Sequence, residues 1–240
     1  VWVHPLAAAT RGLAGRELAE IGLAQGAGAV GVATGRGAIG DARVMHRLLA
    51  YARAFGLVVV AHGEDPALVA GAVATAGETA TRLGLAAAPA CAEYLAVMRD
   101  CRLAQDTGAA LHIRQVTTAE ALGAVRAARA AGADVTAGIT PAHLWLNDQA
   151  LTGFRSFARL SPPLRQETDR RAVLDGVRDG TISILASGHD PQSQDDKRQP
   201  FAEARAGMAG CETLLALGLG LVREGIVDLP GLIAMMTVNP

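Results

Sequence analysis

Aromatic residues and cysteines are scarce in this chain, and each scarcity excludes a way of building a fold. Aromatic residues make up 3% of the 240 residues while hydrophobic residues make up 50%, so the core has to be built mainly from Ala, Val, Leu and Ile. Such a core suits helices packed closely on a parallel sheet. The cysteines, Cys91, Cys101 and Cys211, show no Cys-x-x-Cys spacing. This argues against a disulfide framework or a zinc–thiolate site and favours a reducing cytoplasm.

Charge of one sign is not in surplus either. The chain has 22 Lys and Arg residues against 23 Asp and Glu residues, which leaves no basic excess for nucleic acid or for an anionic membrane surface. No uninterrupted apolar run reaches the length of a membrane span. The first residues lack the basic start and long apolar stretch of a signal peptide. We therefore expect a cytoplasmic protein with neither a nucleic-acid nor a membrane partner.

Short apolar, β-branched runs alternate with longer stretches rich in Ala, Leu and Arg. The apolar runs predict strands at 1–5, 29–33, 57–62, 110–116, 134–139 and 181–187. The longer stretches, with Ala and Leu at three- and four-residue spacing, predict helices at 15–25, 41–55, 90–107, 118–131 and 167–179. Such alternation indicates βαβ units and an α/β fold with a parallel sheet.

Six such units can be counted, and their strongly apolar strands with helices on the outside favour a (β/α)8 barrel of the TIM type over an open sheet, although this pattern alone fits both. A barrel of eight strands needs two more units than this chain supplies, and six strands cannot close without exposed edges. We therefore interpret residues 1–240 as a single barrel domain, seen as an incomplete segment that lacks the first strands and the C-terminal tail. In such barrels the chemistry lies at the C-terminal ends of the strands.

Residues 62–65, His-Gly-Glu-Asp, follow the third predicted strand and form the clearest candidate site. Neutral imidazole is a good zinc ligand, so His62 at a strand end facing the barrel mouth is a candidate metal ligand. Glu64 and Asp65 would then orient that histidine or cap the next helix. The alternative, which the spacing favours, is a histidine hydrogen-bonded to backbone with Asp65 as a helix cap.

Two further strand ends carry polar side chains. His112 and Gln115 lie three apart on one strand and point to opposite faces, so both cannot be ligands, and we expect His112 to be packed or at the surface. His189 and Asp190 follow the last strand, where Asp190 would orient the histidine or serve as general base. An ordinary polar exit from the strand is the favoured alternative there. Arg165, after a Pro-Pro turn, either holds an acidic ligand or caps its loop.

The order of short motifs along the chain resembles dihydroorotase of the cyclic amidohydrolase superfamily over nearly the whole length. The matching stretches are 9–13 (ATRGL), 61–65 (AHGED), 92–93 (AE) with 99–100 (RD), 111–118 (LHIRQVTT), 135–144 (VTAGITPAHL), 161–165 (SPPLR), 179–182 (DGTI), 210–213 (GCET) and 237–240 (TVNP). The resemblance implies a (β/α) barrel that uses zinc to close or open the dihydroorotate ring.

The resemblance also carries the family's metal positions, one at a time, onto residues of this chain. The acidic or bridging ligand falls at Gly35, and the histidine after the fifth strand falls at His62. The histidine of the following strand falls at Gln115, and the aspartate that is both ligand and general base falls at Gly188. His62 is then the one retained ligand position among these. Because zinc hydrolysis needs a metal to acidify water and a base to move its proton, the resemblance implies a silent site without a cofactor.

Positions that contact substrate in the family are altered as well. The asparagine before the Pro-Pro turn falls at Ser161, and the histidine of the family's Asp-His-Ala-Pro-His run falls at Gln192. Ser161, Arg165 and His143 remain candidate substrate contacts. Asp190, two residues beyond the lost base, is a candidate displaced base.

Three functions stay open at this point. The pattern resembles inactive dihydroorotase homologues that associate with aspartate carbamoyltransferase, which implies an oligomeric, structural subunit of de novo pyrimidine biosynthesis. The alternative is an active zinc-dependent dihydroorotase that hydrolyses the cyclic amide of dihydroorotate, reversibly with N-carbamoyl-aspartate. A third is a ligand-sensing barrel that keeps a pyrimidine-like pocket. The identities of Gly35, Gln115 and Gly188 favour the first.

Overall fold

Parallel strands in chain order form the central sheet of this computed structural model, which describes residues 2–240. The strands are β1 (Leu6–Ala8), β2 (Gly31–Ala33), β3 (Val58–Ala61), β4 (Ala74–Thr75), β5 (Ala87–Ala88), β6 (Leu111–Ile113), β7 (Val135–Ile139) and β8 (Ile184–Leu185). All but β4 and β5 belong to one sheet of order β1-β2-β3-β6-β7-β8, with every neighbouring pair parallel. A doubly wound open sheet reverses its strand order at a switch point. This order runs in one direction only, as in a barrel wall, and agrees with the predicted fold.

Ten helices accompany the strands within residues 2–240. They are α1 (Ile21–Gly26), α2 (Ala42–Ala54), α3 (Glu78–Leu83), α4 (Cys91–Thr107), α5 (Ala119–Ala130), α6 (Pro141–Trp145), α7 (Glu167–Arg178), α8 (Gln194–Lys197), α9 (Leu214–Arg223) and α10 (Leu229–Met236). Helices α2, α4, α5 and α7 pack side by side, and residues such as Leu48, Val97 and Leu122 join one apolar core with the strands. Asp41 and Thr118 cap α2 and α5 by accepting backbone N–H bonds. No helix within residues 2–240 has the length and hydropathy to cross a membrane.

The first strand lies later than the sequence predicts. Residue 1 of the predicted strand 1–5 is outside the described residues, and residues 2–5 do not join the sheet. Trp2 and Val3 are 91% and 81% exposed, so their apolar character does not report burial. Pro5 has no N–H to donate to a ladder, and pairing begins one residue later at Leu6.

The first helix is also shorter than the predicted 15–25, since α1 begins at Ile21. Before it, the chain makes a 3-10 turn at Arg11–Leu13 and an antiparallel bridge between Thr10 and Leu18. Gly15 has a φ of 70°, a left-handed conformation that a right-handed helix does not contain. In this segment Leu18 and Ala19 pack against the core from a loop, while Leu13 is 48% exposed.

A small satellite between β3 and α4 is absent from the sequence predictions. Strands β4 and β5 pair through two residues each, with α3 between them. A second apolar cluster, which includes Val73, Leu151 and Leu164, packs around the satellite. The satellite brings Thr75 within 3.0 Å of the Arg165 guanidinium, so it helps to enclose the strand end at His62.

Candidate functional site

A cavity of about 550 Å³ opens where β6, β7 and β8 end, which is where barrel enzymes place their active sites. Its polar lining comprises Arg36, Arg114, Gln115, Thr140, His143, Ser161, Ser187, His189 and Asp190, and its apolar lining includes Leu146, Leu160 and Met208. His62, which the resemblance aligns with a metal ligand, does not line the cavity. His62 lies behind Arg114 and is buried.

His62 follows the last residue of β3, and every polar atom of its ring has a partner. Its backbone N–H donates to the Thr34 hydroxyl at 3.0 Å. Its Nε2 lies 3.0 Å from the Glu64 carboxylate, and its Nδ1 lies 3.2 Å from the Arg114 guanidinium. Because a guanidinium can only donate, Nδ1 is the acceptor of the Arg114 hydrogen bond, and the protonated Nε2 donates its hydrogen bond to the Glu64 carboxylate. Glu64 therefore orients the histidine, as one of the sequence interpretations expects.

Asp65, the other acidic residue of this segment, has the capping role that the sequence suggests. Its carboxylate accepts the backbone N–H groups of Ala67 and Leu68, each at 3.0 Å. Asp65, the first residue of the turn that follows β3, therefore caps that turn with its side chain. Asp65 does not contact His62, so the orienting and capping roles are divided between the two neighbouring acids.

Arg165 is the centre of a buried ion-pair network below the cavity. Its Nη2 lies 3.1 Å from Glu64 and 3.1 Å from Glu93. Its Nε and Nη1 donate to the hydroxyls of Thr117 and Thr75 at 2.9 and 3.0 Å. Burial alone would raise the pKa of Glu64, but the His62 hydrogen bond and the charge of Arg165 outweigh it and hold the pKa below its ordinary value. Glu64 is thus an ionised acceptor.

Glu93 joins this network to the start of α5. It lies in the first turn of α4 and is fully buried. Its carboxylate accepts the backbone N–H groups of Thr117 and Thr118 at 2.7 and 2.8 Å, and both threonine hydroxyls as well. A buried carboxylate needs donors from the protein in place of the water it has lost, and here the fold supplies four of them. The network therefore links the ends of β3 and β6 to two helix starts.

Zinc, which the resemblance implies, does not fit the residues at this strand end. Both ring nitrogens of His62 are engaged, Nε2 by the Glu64 carboxylate and Nδ1 by the Arg114 guanidinium. The amide of Gln115 is a poor zinc ligand. In the part of the chain that the structure describes, no three His, Cys, Asp or Glu side chains are grouped so that they could hold a metal ion.

The two glycines that the resemblance aligns with metal ligands are held in conformations that disfavour any side chain. Gly35 and Gly188 have φ values of 85° and 61°, in the left-handed region that glycine tolerates best. A Cβ at Gly35 would lie 2.9 Å from a Leu13 methyl, and one at Gly188 would lie 2.7 Å from the Thr140 methyl. A carboxylate at either position would require the backbone or its neighbour to shift.

Asp190 lines the cavity near Gly188, but its carboxylate already has partners. It forms an ion pair with Arg36 and accepts from the Gln192 amide at 3.0 Å. His189 is oriented by other groups, since its Nδ1 accepts the backbone N–H groups of Gly210 and Cys211 at 3.2 and 3.3 Å. The two residues that are adjacent in sequence therefore act separately, and Asp190 orients no histidine.

The candidate substrate contacts lie in different environments. Ser161 lines the cavity and is exposed. His143 also lines it, but its Nδ1 pairs with the Thr140 hydroxyl at 2.8 Å and its Nε2 donates to the Pro162 carbonyl at 2.9 Å. Burial lowers the pKa of His143, so the ring is neutral. Arg165 is not part of the lining and binds the buried network instead. Ser161 is therefore the candidate whose side chain the cavity leaves accessible.

Arg36, Arg114 and Glu93 are the residues that the sequence predictions do not assign to the site. Arg36 lies in the strand-end segment after β2, and Arg114 directly follows the apolar strand β6. A charged residue at the end of an apolar strand is a usable signal for such a site, because an unpaired charge is rarely placed in a core. Glu93 gives no comparable signal, since it is one acid among several on helices.

Sequence comparison identifies relatives along the whole chain. A family profile described as Dihydro-orotase-like matches residues 1–121. The chain is 42% identical over 238 residues to a dihydroorotase of Syntrophotalea carbinolica, covering 99% of this chain and 56% of that protein. It is 37% identical over 238 residues to a dihydroorotase-like protein of Pseudomonas aeruginosa, with the same coverage of 99% and 56%. The chain thus spans a little over half the length of the curated relatives it matches.

Solved structures share the fold at lower identity. L-hydantoinase (dihydropyrimidinase) from Arthrobacter aurescens has a TM-score of 0.79 at 23% identity, over 90% of this chain and 51% of that chain. Dihydroorotase from Saccharomyces cerevisiae, in complex with 5-fluoroorotic acid, has a TM-score of 0.71 at 16% identity, over 91% of this chain and 61% of that chain. At these identities the likeness establishes the amidohydrolase barrel fold alone. Taken with the profile match over half of its residues, the chain belongs to the dihydroorotase-like family.

Proposed function

We propose that this chain belongs to a dihydroorotase-like protein of pyrimidine biosynthesis whose site has lost zinc hydrolysis, and which acts as a structural subunit of aspartate carbamoyltransferase. The observation that carries the first part is the contact between Arg114 and His62. Their 3.2 Å contact places a fixed cation on the one ligand position that the chain retains. A guanidinium stays protonated at any ordinary pH, so it cannot become a metal ligand.

The electrostatics of the site point the same way. Zinc sites in this chemistry combine about four ligands, several of them anionic or imidazole. Here Glu64 and Glu93 already share the Arg165 cation, and Gly35 and Gly188 contribute no charge. A divalent cation added beside Arg114 would meet repulsion with no new carboxylate to offset it. The network stabilises the strand ends without a metal.

The partnership with aspartate carbamoyltransferase is supported by the motif resemblance. A barrel whose mouth is tied together by buried ion pairs remains a rigid body after its chemistry is gone, and a rigid body is what a structural subunit needs. Binding to a partner requires little structural rearrangement from such a body. In this proposal the biological role depends on the retained barrel fold and not on the cavity.

The first experiment measures zinc per chain by mass spectrometry and dihydroorotate hydrolysis on the same purified sample. We expect zinc far below one per chain and no turnover, with or without added zinc. Stoichiometric zinc together with turnover would overturn the silent-site proposal. It would favour an active hydrolase in which Asp190, which lines the cavity close to Gly188, serves as base. In that case Asp190→Asn would abolish the turnover.

The second experiment tests the partnership alone. The purified protein is mixed with aspartate carbamoyltransferase of the same organism and analysed by sedimentation velocity at micromolar concentrations. We expect one faster species that contains both chains. The variant Arg114→Met, altered inside the cavity, should form the same complex. Separate sedimentation of the two proteins would contradict the structural-subunit proposal and leave the zinc result unaffected.

A further inference from the structure

Phenylalanine is rare in this chain, and the connection between α6 and α7 exposes two of the four Phe residues. Phe154 and Phe157 are 50% and 64% exposed. Of the other two, Phe201 is buried and Phe55 packs edge-on against Tyr51. Exposed aromatic residues are enriched where proteins contact one another, because each ring covers a large area with few rotamers to fix. This connection is therefore a candidate contact surface.

Contacts with Lys197 hold the connection in one conformation. The Ser156 hydroxyl donates to the Lys197 carbonyl, and the Lys197 ammonium donates back to the Ser156 carbonyl at 2.9 Å. The same ammonium lies 5.8 Å from the centre of the Phe157 ring, within the range of a cation–π contact. Phe154 has a φ of 56°, a conformation that is unusual for a bulky residue and is often found at binding sites. A segment fixed before binding loses little conformational entropy when it binds.

Three arginines beside these rings have no acidic partner. Arg155, Arg159 and Arg198 form no ion pair within residues 2–240. Arg155 precedes Ser156 in the chain, and Arg198 follows Lys197. The Ser156–Lys197 contact therefore brings these two exposed arginines to the same part of the surface. Arg159 is half-buried, and burial lowers its pKa.

The positive charge of this region is a local excess. Segments 152–159 and 193–205 contain five Lys or Arg residues against three Asp or Glu residues. One of the three acids, Asp196, already pairs with Arg205 at 3.5 Å. The whole chain, in contrast, has a formal net charge of -1. The Phe–Arg surface consists of five residues that do not line the cavity, namely Phe154, Arg155, Phe157, Arg159 and Arg198.

We propose that the Phe–Arg surface docks an acidic face of a partner protein. The arginines pair with carboxylates of that face, and the two phenylalanine rings enter apolar recesses between them. The inference rests on the proposed function, because it names the surface through which the subunit holds aspartate carbamoyltransferase. A protein face of limited area fits better than nucleic acid or an anionic membrane, since an extended polyanion would meet a chain whose overall charge is negative.

The test measures the affinity of the full-length protein for aspartate carbamoyltransferase of the same organism by calorimetry. Two double variants are compared with the unaltered protein, Phe154→Ser with Phe157→Ser and Arg155→Glu with Arg198→Glu. Each should weaken the complex at least about tenfold, as expected for aromatic and arginine anchors of an interface. Raising NaCl from about 0.05 to about 0.5 M should also weaken the unaltered complex. The arginine variant changes two exposed side chains, so it decides even if the phenylalanine variant does not fold.

Two controls and a second readout locate the contact. Leu23→Ser on α1 and Arg47→Glu on α2 change exposed residues of the same kinds on other elements, and both should keep the affinity of the unaltered protein. Hydrogen exchange followed by mass spectrometry compares the free protein with the complex. The amides of residues 152–159 should become protected in the complex, whereas those of α2 should not change.

Four outcomes would overturn the Phe–Arg surface. Unchanged affinity of both double variants would do so and would leave the structural-subunit proposal standing. Failure of the unaltered proteins to form any complex would overturn both proposals. Protection of residues 152–159 in the free full-length protein would show that the rest of its own chain covers the surface. Binding to phosphatidylglycerol vesicles that Phe154→Ser with Phe157→Ser abolishes would show a lipid contact in place of a protein face.

Discussion

Replacing Arg165 with Met tests whether the buried network holds the strand ends together in place of a metal. The guanidinium is 3% exposed, and a methionine fills much of the same space without charge or donors. The replacement leaves Glu64 and Glu93 without their shared cation. It also removes the donors that the guanidinium supplies to the hydroxyls of Thr117 and Thr75. The expected result is a large loss of stability with the fold otherwise retained.

The magnitude follows from the cost of a buried charge whose partner is removed. Breaking one buried ion pair in this way costs about 3–5 kcal/mol, and Arg165→Met uncovers two carboxylates. Protonation of a stranded carboxylate relieves part of the cost, because burial then raises its pKa unopposed. We therefore expect the free energy of unfolding at pH 7 to fall by about 4 kcal/mol. Urea unfolding followed by circular dichroism measures this directly.

The pH dependence gives a second, signed check on the same variant. In the unaltered protein the pKa of Glu64 is lowered from 4.5, so its stabilising contribution is present above that pH and is lost as the pH falls through the native pKa. In Arg165→Met the pKa of Glu64 should be raised instead, so protonation of Glu64 at lower pH should reduce the stability that the variant has lost. The difference in unfolding free energy between the two proteins should therefore shrink between pH 7 and pH 5.

Arg171→Met is the control for loss of a surface charge. Arg171 is 74% exposed and pairs with Glu167 on the same helix at 3.0 Å, so its replacement should cost at most about 1 kcal/mol. A loss of less than about 1 kcal/mol for Arg165→Met, equal to that of the control, would refute the network as the source of stability at the strand ends. A difference that grows as the pH falls would refute the assigned sign.

Three further predictions follow from burial and backbone geometry. Burial raises the pKa of Asp100 to about 6 from 3.8, so its contribution to stability falls as pH rises from 4 to 6; the unfolding free energy of the protein relative to Asp100→Asn should drop by about 3 kcal/mol across that range. Burial lowers the pKa of His112 to about 4 from 6.5, so the protein loses about 3 kcal/mol of unfolding free energy as the pH falls through that range. Urea titrations of His112→Gln should not show this loss. The triple variant Gly35→Asp, Gln115→His and Gly188→Asp should take up less zinc than a quadruple variant that also carries Arg114→Met. Mass spectrometry of the purified variants measures the zinc in each. Equal uptake would mean that the guanidinium does not prevent zinc binding.

Periodicity predicts the long helices well because their signals are local. The predicted helices 41–55, 90–107, 118–131 and 167–179 match α2, α4, α5 and α7 within one residue at each end. Each has an apolar face of many residues and a cap or glycine stop near its ends. The strand β8 covers only Ile184–Leu185 of the predicted 181–187, since pairing with β7 ends where that strand's register ends. The ends of a strand depend on pairing with a neighbouring strand, and the sequence of the strand itself does not show where that pairing stops.

The site divides in a similar way. The roles of Glu64 and Asp65 are predictable, because orienting a histidine and capping a turn both act within a few residues. The meeting of Arg165 with Glu64 and Glu93 spans 101 and 72 residues of chain. It depends on how the satellite and the helix starts pack around the end of β3. The spacing of residues along the chain does not predict that packing, so the network is visible only in the folded protein.

The charges at the strand ends support the proposal of a site without a metal. Three guanidinium groups meet three carboxylates at the strand ends, and they belong to Arg36, Arg114, Arg165, Glu64, Glu93 and Asp190. The six charges sum to zero without a metal, so a zinc ion would leave the cluster with two uncompensated positive charges beside the buried carboxylates of Glu64 and Glu93. Carboxylates at Gly35 and Gly188 would restore the balance, but the left-handed backbone at both positions opposes them. Under the proposed function, Arg114 supplies positive charge in place of the ion, and Gly35 and Gly188 supply no ligand. We therefore expect that replacing Arg114 alone, or one glycine alone, leaves a charge without a partner and does not by itself restore a metal site.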